Sequence, residues 1–323
     1  MTPKTLAAMI DCSRNGVMKP EKVKEFALII KNMGYNALML YTEDTYEVEN
    51  EPYFGYMRGR YTIAEMQEMD AYCCSIGIEL IPCIQVLAHL GHIPRWEEYW
   101  SHMDSQDVLL VGDERNYRLI ENMLATLSKC FTSRKIHIGM DEAFYLGTGR
   151  YLQQNGYRDR LEIFVEHLNR VKQLTDRYGF QPMMWSDMFF RPHTKGNGYY
   201  STDVDVPQAV IDGVPANFTL VYWDYYNSDV WPEKAAMFEH MIAQHKRFHN
   251  PIAFAGGVWK WIGYAPNNRG SLPVARYHAD VCLREGIRDV TVTAWGDDGN
   301  ETNHHLALSQ MPMFSEFCWR GES

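Results

Sequence analysis

Residues 135 to 142 read Lys-Ile-His-Ile-Gly-Met-Asp-Glu. The apolar run suits a buried strand, and the two carboxylates suit its tip. Strand side chains alternate between faces, so His137, Gly139 and Asp141 are expected on one face and Ile136, Ile138 and Met140 on the other. Glu142 falls where the chain must leave the strand and turn. Barrel and α/β enzymes collect acid/base groups at such tips. Two adjacent carboxylates, however, can hardly flank a glycosidic bond from opposite sides, as a two-carboxylate glycosidase requires. If the chain cleaves glycosides, a second nucleophile is needed, and the substrate is one source of it.

Similar apolar runs ending in polar or aromatic tips recur on both sides of this stretch. They predict strands over Thr5–Asp11, Ala37–Thr42, Glu79–Gln85, Lys135–Asp141, Gln181–Trp185, Phe218–Trp223, Ile252–Gly257 and Asp289–Trp295. Amphipathic stretches with helical spacing lie between them. Pro20–Met33 opens on proline and stops at Gly34, and Thr62–Ile76 stops at Gly77. Glu114–Phe131, Tyr157–Tyr178, Trp231–His249, Leu272–Glu285 and His304–Trp319 are further helices, with only a short turn over Pro207–Asp212 after the fifth strand. Eight strands alternating with eight connections predict a (β/α)8 TIM barrel, an α/β fold, as one domain over residues 1–323. A doubly wound sheet is the alternative, but no strand is followed by a Gly-rich phosphate loop.

The formal charge of −10, without a run of Lys or Arg, argues against nucleic acid and against an anionic membrane surface as partners. Seven cysteines, an odd number without metal-finger or redox spacing, read as reduced core thiols. No apolar run approaches the ~18 residues of a membrane span, and no leader opens the chain. A cytoplasmic protein is expected, although a secreted chain trimmed of its leader would read the same. Nine Trp and twenty Tyr exceed what a plain core needs, and flat rings suit sugar faces.

The predicted strand ends, in order, carry Asp11 and Arg14; Glu43 and Asp44; Gln85 and His89; His137, Asp141 and Glu142; Trp185 and Asp187; Trp223, Asp224 and Tyr225; Trp259 and Trp261; and Trp295, Asp297 and Asp298. A lone Asp at a tip is as well explained by capping the next helix. The set together suits a carbohydrate, with aromatic walls for ring faces and carboxylates and Arg for hydroxyls. No metal or other cofactor is expected, because His89 and His92 are three apart in a glycine-bearing loop and offer no paired-ligand spacing on one element.

His137-Ile-Gly139-Met-Asp141-Glu142 resembles the His-x-Gly-Gly-Asp-Glu signature of glycoside hydrolase family 20, the β-N-acetylhexosaminidases. Asp11-Cys-Ser-Arg14 resembles that family's first-strand Asp-x-x-Arg. Tyr41-Thr-Glu43-Asp44, Pro82 with His89, and Ala294-Trp295-Gly-Asp297 resemble its second-, third- and eighth-strand segments. The spacing is similar to that of the shorter bacterial members, and the small α/β domain that often precedes the barrel is missing, so a catalytic core is expected. Met140 departs from the family's second glycine. Alternation points it outward, where the change is tolerable.

The resemblance implies that the substrate's 2-acetamido carbonyl attacks the anomeric carbon, with net retention, an exception to the two-carboxylate scheme. It implies Glu142 as the acid and then the base, and Asp141 as the group that orients the acetamide. Tyr225 is the chosen donor to the acetamide oxygen, with Tyr222 and Tyr226 as alternatives, since the phase of that tip is open. Trp185, Trp223, Trp259 and Trp295 are expected around the acetamide and the ring. Arg14 is expected on O3 and O4, and Asp297 on O4 or O6. Asp44 and His89 are expected to position Glu142, and His137 to pack beneath the pair. The expected partner is an oligosaccharide or glycoconjugate ending in an N-acetylhexosamine, GlcNAc or GalNAc. Rival readings are a barrel glycosidase with Asp187, Asp224 or Asp297 as nucleophile, and a sugar-binding barrel without activity. A homodimer through exposed Phe314, Phe317 and Trp319 is a further expectation.

Overall fold

The computed structural model describes residues 3–194, 198–203, 205–297 and 299–319. Eight parallel strands close into a barrel in chain order: β1 Thr5–Asp11, β2 Ala37–Tyr41, β3 Glu79–Cys83, β4 Lys135–His137, β5 Gln181–Trp185, β6 Thr219–Trp223, β7 Ile252–Gly257 and β8 Asp289–Ala294. The predicted TIM barrel is the fold. β1 closes it against β8, with Thr5 opposite Asp289 and Ile10 opposite Ala294.

Alternation sorts the strand side chains into two cores. Ala7, Met9, Ala37, Met39, Ile81, Cys83, Met183, Val221, Ala253 and Ala255 fill the lumen below Tyr41 and Trp185. Leu6, Ala8, Ile10, Leu38, Leu80, Ile136 and Leu220 face the helices in the outer core. Met140 is fully buried in that outer core, the side the sequence reading gave it, although it lies past the end of β4 on a left-handed backbone.

Around the barrel lie α1 Pro20–Asn32, α2 Ile63–Ser75, α3 Glu114–Cys130, α4 Arg150–Asn155, α5 Arg160–Arg177, α6 Asp187–Phe190, α7 Gln208–Gly213, α8 Pro232–Lys246, α9 Asn268–Arg284 and α10 Met311–Trp319. Local sequence explains their starts. Thr62 caps α2 in a reciprocal capping box with Glu65. The Asp159 carboxylate accepts from the N–H groups of Leu161 and Glu162, which starts α5 three residues later than apolar periodicity predicted. Asn267 caps α9, so that helix begins four residues before the predicted Leu272, with Pro273 inside it. The short α4 and α6 carry too few turns to show a period.

Two expectations need correction here. Phe314 and Phe317 are buried in the outer core rather than exposed, while Trp319 stays half exposed. Strands β2, β3 and β4 end one, two and four residues earlier than predicted, because the chain turns out of extended geometry before its polar tips. Among the described residues, no helix is long and apolar enough to cross a membrane.

Candidate active site

The end of β4 shows how that turning builds a site. After His137 the backbone takes left-handed φ at Gly139 (70°), Met140 (74°) and Glu142 (52°). Left-handed φ is uncommon for Met and Glu and carries strain. Pairing to β5 survives the coil, since Ile138 N–H donates to Met183 O and Trp185 N–H to Gly139 O. The coil therefore stays fixed to the sheet while it brings Asp141 and Glu142 together at the lumen's upper end.

Gln85, just past β3, holds this coil from the side. Its Nε2 donates to Asp141 Oδ1 at 2.7 Å and to the Tyr41 hydroxyl at 2.9 Å, and its Oε1 accepts from Met140 N–H at 2.9 Å. Gly139 leaves the space this amide occupies, as a Cβ there would lie 1.9 Å from Gln85 Oε1.

His89 stands over both carboxylates. Its Nε2 is 3.3 Å from Asp141 Oδ2 and 3.4 Å from Glu142 Oε2, ion-pair contacts whose angles fall outside hydrogen-bond geometry. Burial works against a charged imidazole, but Asp141, Glu142 and Glu43 outweigh it and raise the His89 pKa well above the ordinary value. Asp141 answers in kind: burial disfavours its charge, and His89 and Gln85 overcome that, so its pKa is lowered. His89, Asp141 and Glu142 bring ligand atoms within 4.8 Å of one another, the one such His/carboxylate group among the described residues.

A second charged group lies at β1. Arg14 Nη1 donates to Asp11 Oδ2 at 2.7 Å, and its Nη2 is 3.7 Å from Glu43 Oε1. Asp11 is fully buried and also accepts from Ser13 N–H, Ser13 Oγ–H and Gly296 N–H, which ties β1 to the loop after β8. Burial pushes Glu43 up to about 7, against the pull of Arg14 and His89. Arg14 lies against the Tyr41 and Trp295 rings, at 5.4 and 5.7 Å from their centroids.

These groups open into a cavity of about 250 Å³ that every strand end but none of the helix faces helps to line. Of the residues expected at the site, Arg14, His89, Asp141, Glu142, Trp185, Trp223, Tyr225, Trp295 and Asp297 line it, and Tyr41, Tyr199, Tyr226 and Trp261 complete it. Trp295 Nε1–H donates to the Tyr225 hydroxyl at 2.7 Å. An indole can only donate, so the phenolic proton of Tyr225 is left for another acceptor. Trp223 stacks on Tyr225 at 5.6 Å and 25°.

Three predicted site residues and one alternative lie elsewhere. Asp44 is buried and accepts from Arg58 Nε at 3.2 Å; Glu43, with φ 48°, turns inward in its place. Trp259 is buried beside Tyr226, while Trp261, two residues on, reaches the cavity. His137 sits below the cavity with its ring 4.2 Å from that of Trp185, and Nδ1 accepts from Gly139 N–H. Burial lowers it to about 3, so it packs as a neutral ring, as the sequence reading expected, and touches no ligand space. Tyr222 points outward to Asp224 and the α8 side, which removes it as a rival to Tyr225. Asp298 lies outside the described residues.

Sequence reasoning missed Gln85's role, Glu43 as the inward carboxylate, and Tyr199. Tyr199 follows α6 in a stretch with no period, so no pattern pointed to it.

A model of glycosyl hydrolase family 20, catalytic domain, matches residues 34–250, two thirds of the chain. The chain is 25% identical over 227 residues to hexosaminidase D of Bos taurus, covering 64% of this chain and 60% of that protein. To human hexosaminidase D it is 23% identical over 226 residues, covering 64% and 42%. The matched region thus spans less than two thirds of the length of these curated relatives. The fold is similar to an exo-β-N-acetylglucosaminidase of Vibrio harveyi solved with N-acetylglucosamine, with a TM-score of 0.71 and 16% identity over 98% of this chain and 54% of that one. With the coiled Asp141–Glu142 tip inside the matched region, this chain belongs to glycosyl hydrolase family 20.

Proposed function

We propose that this protein is a retaining exo-β-N-acetylhexosaminidase that removes a terminal β-linked GlcNAc, and also GalNAc, from an oligosaccharide or glycoconjugate. One observation carries the reading: the acid pair is adjacent, shares a single imidazolium, and faces a Tyr hydroxyl across an aromatic pocket. Asp141 accepts the acetamide N–H and, with the Tyr225 hydroxyl on the acetamide oxygen, turns that oxygen toward C1. The oxygen attacks C1 as the C1–O bond breaks, and the leaving oxygen takes the Glu142 proton. The ionised Glu142 then draws a proton from water, which opens the oxazolinium from the face just vacated. The product keeps the β configuration.

Two of the three carboxylates weighed as protein nucleophiles are engaged elsewhere. Asp187 is buried under the pair, accepting from Glu142 N–H at 3.1 Å and Trp223 Nε1–H at 3.4 Å, and burial pushes it up to about 8. Asp224 is bound by the Tyr222 hydroxyl and the backbone N–H groups of Tyr226 and Asn227. Asp297, at the β8 rim, is the remaining one through which a protein-nucleophile mechanism would run. A cavity of this size, closed below by the packed lumen, suits one terminal sugar and hence exo action.

The test is hydrolysis of p-nitrophenyl β-GlcNAc and β-GalNAc by wild type, Asp141→Asn and Glu142→Gln, with the first-formed anomer read by NMR. Activity in wild type, β-product first, and losses of about 100-fold or more in both variants are expected for groups acting in the transition state. An inactive wild type, or an α-product, overturns the proposal.

A further inference from the structure

Glu142 sits on a left-handed backbone residue, and its main chain turns at once, with Phe144 N–H donating to Glu142 O at 2.6 Å. Nothing in that local geometry fixes the direction of its carboxyl group. His89 approaches one oxygen, Oε2. Tyr199, after α6, faces the same cavity. It lines that cavity together with Glu142, and burial, then the neighbouring Glu142 carboxylate, raise the phenol's pKa.

The Tyr199 ring is held from three directions. It meets Trp223 edge-on at 4.8 Å and Phe144 at 6.0 Å, and the Arg191 guanidinium lies 4.8 Å from its centroid. The same guanidinium lies 3.8 Å over Phe144, two residues past the acid. The Arg191 guanidinium thus bridges the faces of these two rings. Arg191 and Tyr199 are thereby held against Phe144, next to Glu142.

We infer that Tyr199 is a positioning residue for Glu142, its hydroxyl holding one carboxyl oxygen so that the other faces the leaving group. This rests on the function proposed above. The phenol donates to the oxygen that does not carry the proton while Glu142 acts as acid, and keeps that contact when Glu142 becomes the base. A group that acts through the general acid matters most when the leaving group is poor, because a good leaving group departs without full protonation.

The experiment compares kcat/KM for p-nitrophenyl β-GlcNAc and methyl β-GlcNAc in wild type, Tyr199→Phe, Arg191→Ala and Glu142→Gln. Tyr199→Phe keeps the ring contacts and loses only the hydroxyl. It is expected to lose about 10-fold on the methyl glycoside, a fraction of the whole general-acid contribution, and much less on the aryl glycoside. Arg191→Ala is expected to reproduce that split in weaker form. Equal losses on both substrates, or none, overturn the inference. If Glu142→Gln itself shows no such split, the acid assignment fails first, which separates that failure from one confined to Tyr199.

Discussion

Gln85 and Asp141 form the contact that fixes the acid pair: the amide donates to the carboxylate at 2.7 Å while its oxygen takes Met140 N–H. One side chain thus holds both the backbone coil and one carboxylate oxygen. Gln85→Leu is expected to lower kcat/KM on p-nitrophenyl β-GlcNAc by about 10- to 100-fold, the 1.5–3 kcal/mol of a hydrogen bond to a charged group. Steady-state kinetics decide it, and an unchanged KM with lower kcat would place the loss in the chemical step.

Gly139 and Gly77 both take positive φ, at 70° and 77°, but only Gly139 has a neighbour in the way. Gly77→Ala meets open space, so it should cost about 1–2 kcal/mol of backbone strain and leave activity intact. Gly139→Ala drives a methyl group into Gln85 and should abolish most activity as well. Paired thermal melts and rate measurements separate strain from the steric effect.

The two tryptophans after β7 make opposite predictions. Trp259 is buried, so Trp259→Ala should cost about 3–5 kcal/mol of stability. Trp261 lies at the cavity mouth, its Nε1–H donating to the Tyr226 hydroxyl at 3.1 Å. Trp261→Ala should raise KM with a much smaller fall in melting temperature.

Asp187 links stability to pH. Burial, then the charge of Asp141, push its folded pKa up to about 8, above the ~3.9 of an unfolded Asp. The folded chain therefore keeps a proton that the unfolded chain loses. Its stabilising contribution is complete below about pH 4 and declines as pH rises toward 8. Melting temperatures of wild type across pH 5 to 8 should fall, and Asp187→Asn should flatten that slope. Asp11 works in the other direction. Burial opposes its charge, but Arg14 and the Ser13 and Gly296 N–H groups lower its pKa, so its contribution holds above ~3.9 and fades on acidification.

The barrel was legible because apolar runs ending in polar or aromatic tips repeat eight times, and alternation along the strands lines the lumen with Ala7, Met9, Ala253 and Ala255. The site's residues were legible where a strand or its first following residue delivers them, as at Asp11, which holds Arg14, and Trp295. Alternation loses its meaning once the chain leaves the strand. At β2 the left-handed Glu43 turns inward and sends Asp44 to Arg58. After β7 a tight turn, Lys260 N–H to Val258 O, exchanges the places of Trp259 and Trp261. Tyr199 was invisible for a further reason. Its position depends on Phe144, Arg191 and Trp223, which come from three separate parts of the chain.

The central claim, that the substrate's acetamide is the nucleophile, is tested most directly with p-nitrophenyl β-glycosides bearing acetyl, fluoroacetyl, difluoroacetyl and trifluoroacetyl groups on N2. Each fluorine weakens the carbonyl oxygen as a nucleophile while leaving the aryl leaving group unchanged. The account predicts that kcat/KM falls steeply and steadily along the series. A flat series, with the trifluoroacetyl substrate cleaved as readily as the acetyl one, would contradict it and point to Asp297 or another protein carboxylate.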